Sequence, residues 1–151
     1  MLTALDILVN ASVAPSFRRP VVFAAMRGDS WDAMATRRLL YSMHTEANAT
    51  RGLHWDGLHA VVEVGAVGRA NGTQGVAATL FGHIAHDPPH AAGGTADVVK
   101  ALHTGAEATG GVAFGTARGG TLPPGALGAL LRVKAVPAVM VAEFEYTLVR
   151  L

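Results

Sequence analysis

Apolar residues in this chain come in short runs, and proline or glycine cuts each run before it grows long. Residues 7–17 are uncharged but include Asn10 and Pro15. Residues 119–131 include Pro123 and Pro124 among several Gly and Thr. A membrane-spanning helix needs about 20 consecutive apolar residues, so no such span is expected. Pro15 likewise ends anything continuous near the N-terminus, because proline removes a backbone donor and clashes inside a helix. What remains is a set of short strands and short helices. At 151 residues these fit one domain, taken as 1–151.

The runs have legible periods. Leu2, Leu5, Leu8 and Val9 follow Thr3 and predict a short N-terminal helix over 2–11. Val21–Met26 reads as a buried strand after Pro20. Trp31, Met34, Ala35, Leu39, Met43 and Ala47 mark one face of a helix. Ala60, Val62, Val64 and Ala66 alternate as in a half-buried strand, and 76–85 returns as a second one. Between them Asn71-Gly72 has the conformational freedom for a hairpin turn. Residues 95–108 predict a helix with Val98, Val99, Leu102 and Ala106 inward, ended by Gly110 and Gly111. Residues 112–117, 130–136 and 139–151 read as further strands, with a break at Pro137. In the last of these, Met140, Ala142, Phe144, Tyr146 and Leu148 share one face, and Glu143, Glu145 and Thr147 the other. The predicted class is α+β: a largely antiparallel sheet with a central hairpin and C-terminal strands, and two to three helices packed on it.

Charge is scarce. Charged residues make up 15% of the chain and hydrophobic ones 50%, against about 25% charged in ordinary domains. Twelve Lys+Arg against eleven Asp+Glu leave a net charge of +1, too weak a field to predict nucleic acid or an anionic membrane as partner. Of the basic residues only Lys100 and Lys134 are lysines. So little charge to cover the surface fits either an alanine-rich but ordinary monomer or a subunit that hides area in a homo-oligomer, and the oligomer is the expectation; arginine is favoured at interfaces, but high-GC coding would give the same bias. Asp6 and the lack of a basic residue before Arg18 argue against a signal peptide, giving a cytoplasmic expectation. On that expectation the Asn-x-Ser/Thr triplets at Asn10, Asn48 and Asn71 are accidental.

Candidate chemistry centres on histidine. His83, His86, Asp87 and His90 fall within eight residues, and imidazoles with a carboxylate suit zinc or iron. Pro88-Pro89 interrupts the run, so no continuous helix aligns them. His54, Asp56 and His59 could complete that set or form an acid–base group; the competing reading is a turn at Asp56-Gly57 with Trp55 packed inward. There is no cysteine and no Gly-x-Ser-x-Gly elbow, and the glycines of 105–128 form no phosphate-binding loop. Glu143 and Glu145, two apart on a strand, are a weak carboxylate pair of the kind usually solvated or bridged to arginine.

The C-terminal run VAEFEYTLVRL, with a short N-terminal helix and a long central hairpin, resembles small structural proteins of tailed bacteriophages, of the head–tail connector, tail-terminator or decoration class. The resemblance implies a non-enzymatic subunit of a homo-oligomeric virion assembly, such as a head, tail or capsid component. It would have other virion proteins as partners, be assembled in the host cytoplasm, and carry no cofactor. Phe144, Tyr146 and Leu148 are then the interface candidates. Two other readings stay open: a metal-dependent enzyme using the His83/His86/His90 cluster with Asp87, and a small-molecule binder whose pocket is lined by Trp31, Trp55, Phe81 and Phe114.

Overall fold

The computed structural model describes residues 20–27, 32–45, 50, 53–65, 78–85, 94–118 and 122–145. In chain order the elements are α1 (Met34–Thr45), a 3-10 turn (Trp55–Gly57), β1 (Val61–Val64), β2 (Ala78–His83), α2 (Gly94–Thr109), β3 (Val112–Thr116), α3 (Ala126–Leu131) and β4 (Ala138–Ala142). The chain adopts the α+β class, with three helices and one sheet among the described residues. Among the described residues no helix is long and apolar enough to cross a membrane.

The sheet is mixed, in the order β1-β4-β2-β3. β1 pairs with β4 in parallel, from Val61 opposite Ala138 to Val64 opposite Val141. β2 and β3 are also parallel, with Leu80 opposite Phe114. The antiparallel ladder is the middle one, with Gly82 opposite Val141 and His83 opposite Met140. The central hairpin expected from Asn71-Gly72 is corrected here: β1 and β2 exist as predicted, but β4 lies between them. Short-range turn signals report that a chain reverses, not which strand becomes its neighbour. The turn residues themselves lie outside the described residues.

β4 is buried at all five positions, which explains its unbroken apolar sequence AVMVA: a strand covered on both faces has no reason to alternate. The amphipathic alternation expected for 139–151 is replaced here by continuous burial through Ala142. One face carries Ala138 and Met140, packed with Leu127 of α3 and, at the margin, Val61, Leu122 and Leu131. α3 packs in turn on α1, where Leu40, Leu130 and Val136 form a second cluster with Trp55 and Leu58. The other face carries Val139, Val141, Gly82, Leu80 and Phe114. A Cβ at Gly82 would stand 2.8 Å from Phe114 Cζ and 3.3 Å from Val139 Cγ1, so the ring sits where glycine leaves room. α2 packs on β3 and β4 as the crossover helix of a β2-α2-β3 unit. Beyond Gly94 and Thr95 at its start, its half-buried positions are Val98, Val99, Leu102 and Ala106, the predicted stripe. Gly110 ends it at φ 67°, the left-handed conformation glycine accepts at a helix C-terminus.

Three further expectations change. Val21–Met26 has no regular secondary structure and is largely exposed, with Val21 53% and Val22 59% accessible; among the described residues no strand pairs with it. Residues 130–136 are not a strand: Leu130 and Leu131 close α3. A short apolar run is ambiguous by periodicity, and the decision is made from a distance. The Glu63 carboxylate on β1 accepts the backbone N–H of Ala126 at 3.1 Å and that of Leu127 at 2.6 Å, satisfying donors that a helix start leaves free. In α1 the buried stripe is Thr36, Leu40 and Met43, whereas Met34 is exposed, because the face is set by packing on Leu130 and Trp55.

Gly125 makes room for that cap, since a Cβ there would lie 2.5 Å from Glu63 Oε1. Removing the carboxylate by Glu63→Ala is expected to cost about 1–3 kcal/mol in urea unfolding. Gly125→Ala should destabilise the parent protein yet cost clearly less in the Glu63→Ala background. Additive losses in that double-mutant cycle would show that the two residues do not interact.

Candidate functional site

The candidate site residues fall into three separate places. His83 ends β2 and is 1% exposed. Its Nε2 lies 2.7 Å from the Phe144 carbonyl, and the two rings are 5.1 Å apart at a tilt of 47°. A carbonyl oxygen only accepts, so Nε2 carries the proton and donates. This nitrogen ties β2 to the chain just beyond β4. His86, Asp87 and His90 lie outside the described residues, as do Tyr146 and Leu148. Among the described residues no group of three or more His, Asp or Glu is placed to hold a metal. Phe144 is half-buried against His83, and Arg118 Nε meets Glu145 at 3.4 Å, an arginine bridge formed beyond the end of β4 rather than on the expected strand face.

The second place is the 3-10 turn. His54, Asp56 and His59 are exposed, while Trp55 is half-buried on the Leu40–Leu130–Val136 cluster. Lys134 Nζ donates to the Trp55 carbonyl and stands 5.3 Å from the centre of its ring. The His44 ring meets the indole edge-on, with centroids 6.2 Å apart. Trp55 is thus a packing residue pinned by a cation, as the turn reading held. Lys134 carried no signal in the sequence, since nothing in its surroundings separates a pinning lysine from a solvated one.

The third place is the start of α1. Asp32 and Ala33 have φ of 52° and 55°, the left-handed region that non-glycine residues enter at a cost of about 1–2 kcal/mol each. Ala33 is buried, and Asp32 Oδ2 meets Arg37 at 2.9 Å in an exposed ion pair. Two consecutive strained residues persist only where their surroundings hold them. Sequence reasoning missed them because alanine gives no hint of a positive φ.

The pocket expected between Trp31, Trp55, Phe81 and Phe114 does not assemble from its described members. Phe81 and Leu80 are neighbours on β2, and Leu80 shares its face with Phe114, so Phe81 points to the opposite side. Trp31 lies outside the described residues. An open groove runs instead along α2, lined by Ile84, Thr95, Val99, Lys100 and His103.

A four-stranded mixed sheet with one crossover unit and a capped short helix is specific enough to compare. A family model described as the nicastrin large lobe matches residues 1–149. This chain belongs to the nicastrin family. Nicastrin of Arabidopsis thaliana is 29% identical over 83 residues, covering 55% of this chain and 12% of that protein. The crystal structure titled as the gamma-secretase component nicastrin superposes with a TM-score of 0.74 at 15% identity. It covers 97% of this chain and 28% of that one, so the chain spans well under a third of the relatives it matches. At that identity the superposition speaks for the fold, and membership rests on the family match. The bacteriophage resemblance is overturned, because it rested on element order and on the 139–151 strand. The homo-oligomeric virion role, the virion partners and the virion or host-cytoplasm location fall with it.

Two outcomes check this geometry. Ala33→Gly removes the penalty for a left-handed alanine and is expected to raise stability by about 1 kcal/mol, read from the urea midpoint. His83→Phe keeps the ring volume but strips the donor from the Phe144 carbonyl. It should lower stability by about 1–3 kcal/mol, and a neutral result would remove His83 as the tie between β2 and residue 144.

Proposed function

We propose that this chain acts as a non-catalytic module of a nicastrin-type subunit within a gamma-secretase assembly, contributing surface rather than chemistry. The observation that carries this reading is the nicastrin large-lobe match over 1–149, joined to a fold held in common with a protein titled as a gamma-secretase component. The side chains agree with it. His83, the buried member of the histidine run, spends its Nε2 on a backbone carbonyl. His54, Asp56 and His59 are exposed around a tryptophan that packs. Exposed apolar residues, by contrast, are plentiful, among them Val62 at 43%, Val64 at 66%, Met34 at 62% and the 21–23 run, side chains suited to contact with other polypeptide.

Tagging the chain at its own locus, followed by native electrophoresis and mass spectrometry of the band, tests the reading. It should migrate far above its 15.6 kDa together with other identified gamma-secretase components. A chain that runs alone, or only with copies of itself, would overturn the proposal.

A further inference from the structure

Thr45 and Thr109 turn their hydroxyls back onto carbonyls of their own helices, at Tyr41 and at Gly105 and Ala106. Thr95 is the second residue of α2, so no carbonyl of that helix stands four residues before it. It is only 6% exposed, yet among the described residues its hydroxyl has no hydrogen-bond partner. Among those same residues no side-chain oxygen is sealed in the interior without a partner. The Thr95 hydroxyl therefore opens onto the groove along α2 that its side chain lines, a space of about 510 Å³. That volume lies within the range of small-molecule sites.

The groove occupies a place where ligands gather. β2 and β3 are parallel and joined through α2, and Ile84, one residue beyond β2, lines the groove with the first turns of that helix. Crevices outside the carboxyl ends of parallel strands are the usual binding positions. The lining divides by chemistry: Ile84, Ala96 and Val99 are apolar, whereas Thr95, Lys100 and His103 supply donors. His103 Nδ1 lies 3.4 Å from Glu107 Oε1, a carboxylate of its own helix. Lys100 is exposed and has no such partner among the described residues. Helical side chains lean toward the N-terminus, which carries the Lys100 ammonium back over the turn of Thr95 and Ala96. Asp97, the acid of the first turn, stands two residues from Thr95 and so nearly opposite it on the helix.

From this arrangement we infer that the groove binds a free aliphatic carboxylate, of the chemistry of a medium-chain fatty acid. The carboxylate accepts from Thr95 Oγ1 and pairs with Lys100, and the tail lies on Ala96, Val99 and Ile84. A single cation suits a monoanion better than a phosphate dianion, and the positive end of the helix dipole adds to it. From Thr95 to His103 the helix rises about 12 Å, room for a tail of that length. The inference stands apart from the assembly role above and does not depend on it.

Titration of the full chain with octanoate, followed through amide NMR shifts, tests it. Saturable shifts are expected at 95–100 and at Ile84. Octanol, which has the tail without the charge, and acetate, which has the charge without the tail, should each bind at least about ten-fold more weakly. Lys100→Gln, at an exposed position, should weaken octanoate about ten-fold, the scale of one charge-assisted hydrogen bond. Thr95→Val should weaken it as well; if that variant fails to fold, Lys100→Gln decides. Unmoved 95–100 amides, octanol binding as tightly as octanoate, or an unchanged affinity in Lys100→Gln would each overturn the inference. Tighter binding of the peptide acetyl-Ala-Leu than of octanoate would assign the groove to a peptide carboxylate and overturn it too.

Discussion

Everything in this molecule leans on the burial of β4. It pairs in parallel with β1 on one side and antiparallel with β2 on the other, so it is the seam where two halves of opposite polarity meet. Its five side chains alternate between two cores: Ala138 and Met140 under α3, Val139 and Val141 on the α2 side. With both faces covered there is no tolerated direction for a polar substitution, and each half of the sheet loses its neighbour if the strand is lost. The Glu63 cap and the His83–Phe144 hydrogen bond are ties of the same kind. Each joins an element of one half to chain that flanks β4.

Local periodicity carried the sequence reading a good distance. The inward stripe of α2 was legible residue by residue, because Val98, Val99, Leu102 and Ala106 follow one helical face and Gly110 stops it. Strands β1, β2 and β3 were legible for the same reason. Pairing was not. Nothing in VVEV or ATLFGH says that AVMVA, from the far end of the chain, will insert between them, since register and adjacency are settled by burial of the whole sheet. The residues 126–131 escaped because ALGALL fits helix and strand alike until the Glu63 carboxylate is seen to meet its first N–H groups.

The site was less legible than the fold, for a physical reason. Titratable residues attract notice in a sequence, but what they do depends on the partner, and partners are remote: His83 meets a carbonyl 61 positions away, and Lys134 one 79 positions away. In both cases the polar atom serves the backbone. The low charge of the chain, taken as a sign of association with its own copies, belongs instead to a nicastrin-family fold with exposed valines on β1, in the 21–22 run and at Val133.

The position of β4 also sets a schedule for synthesis. β2, α2 and β3 are consecutive and can assemble as soon as they leave the ribosome, since their contacts are local. β1 cannot: its ladder partner begins at Ala138, long after Val64 has emerged. Throughout that interval the valine-rich strand β1 waits without its described ladder partner. Such exposure is what chaperones and aggregation compete for, so the yield of folded chain is governed by how quickly the last residues of the sheet arrive.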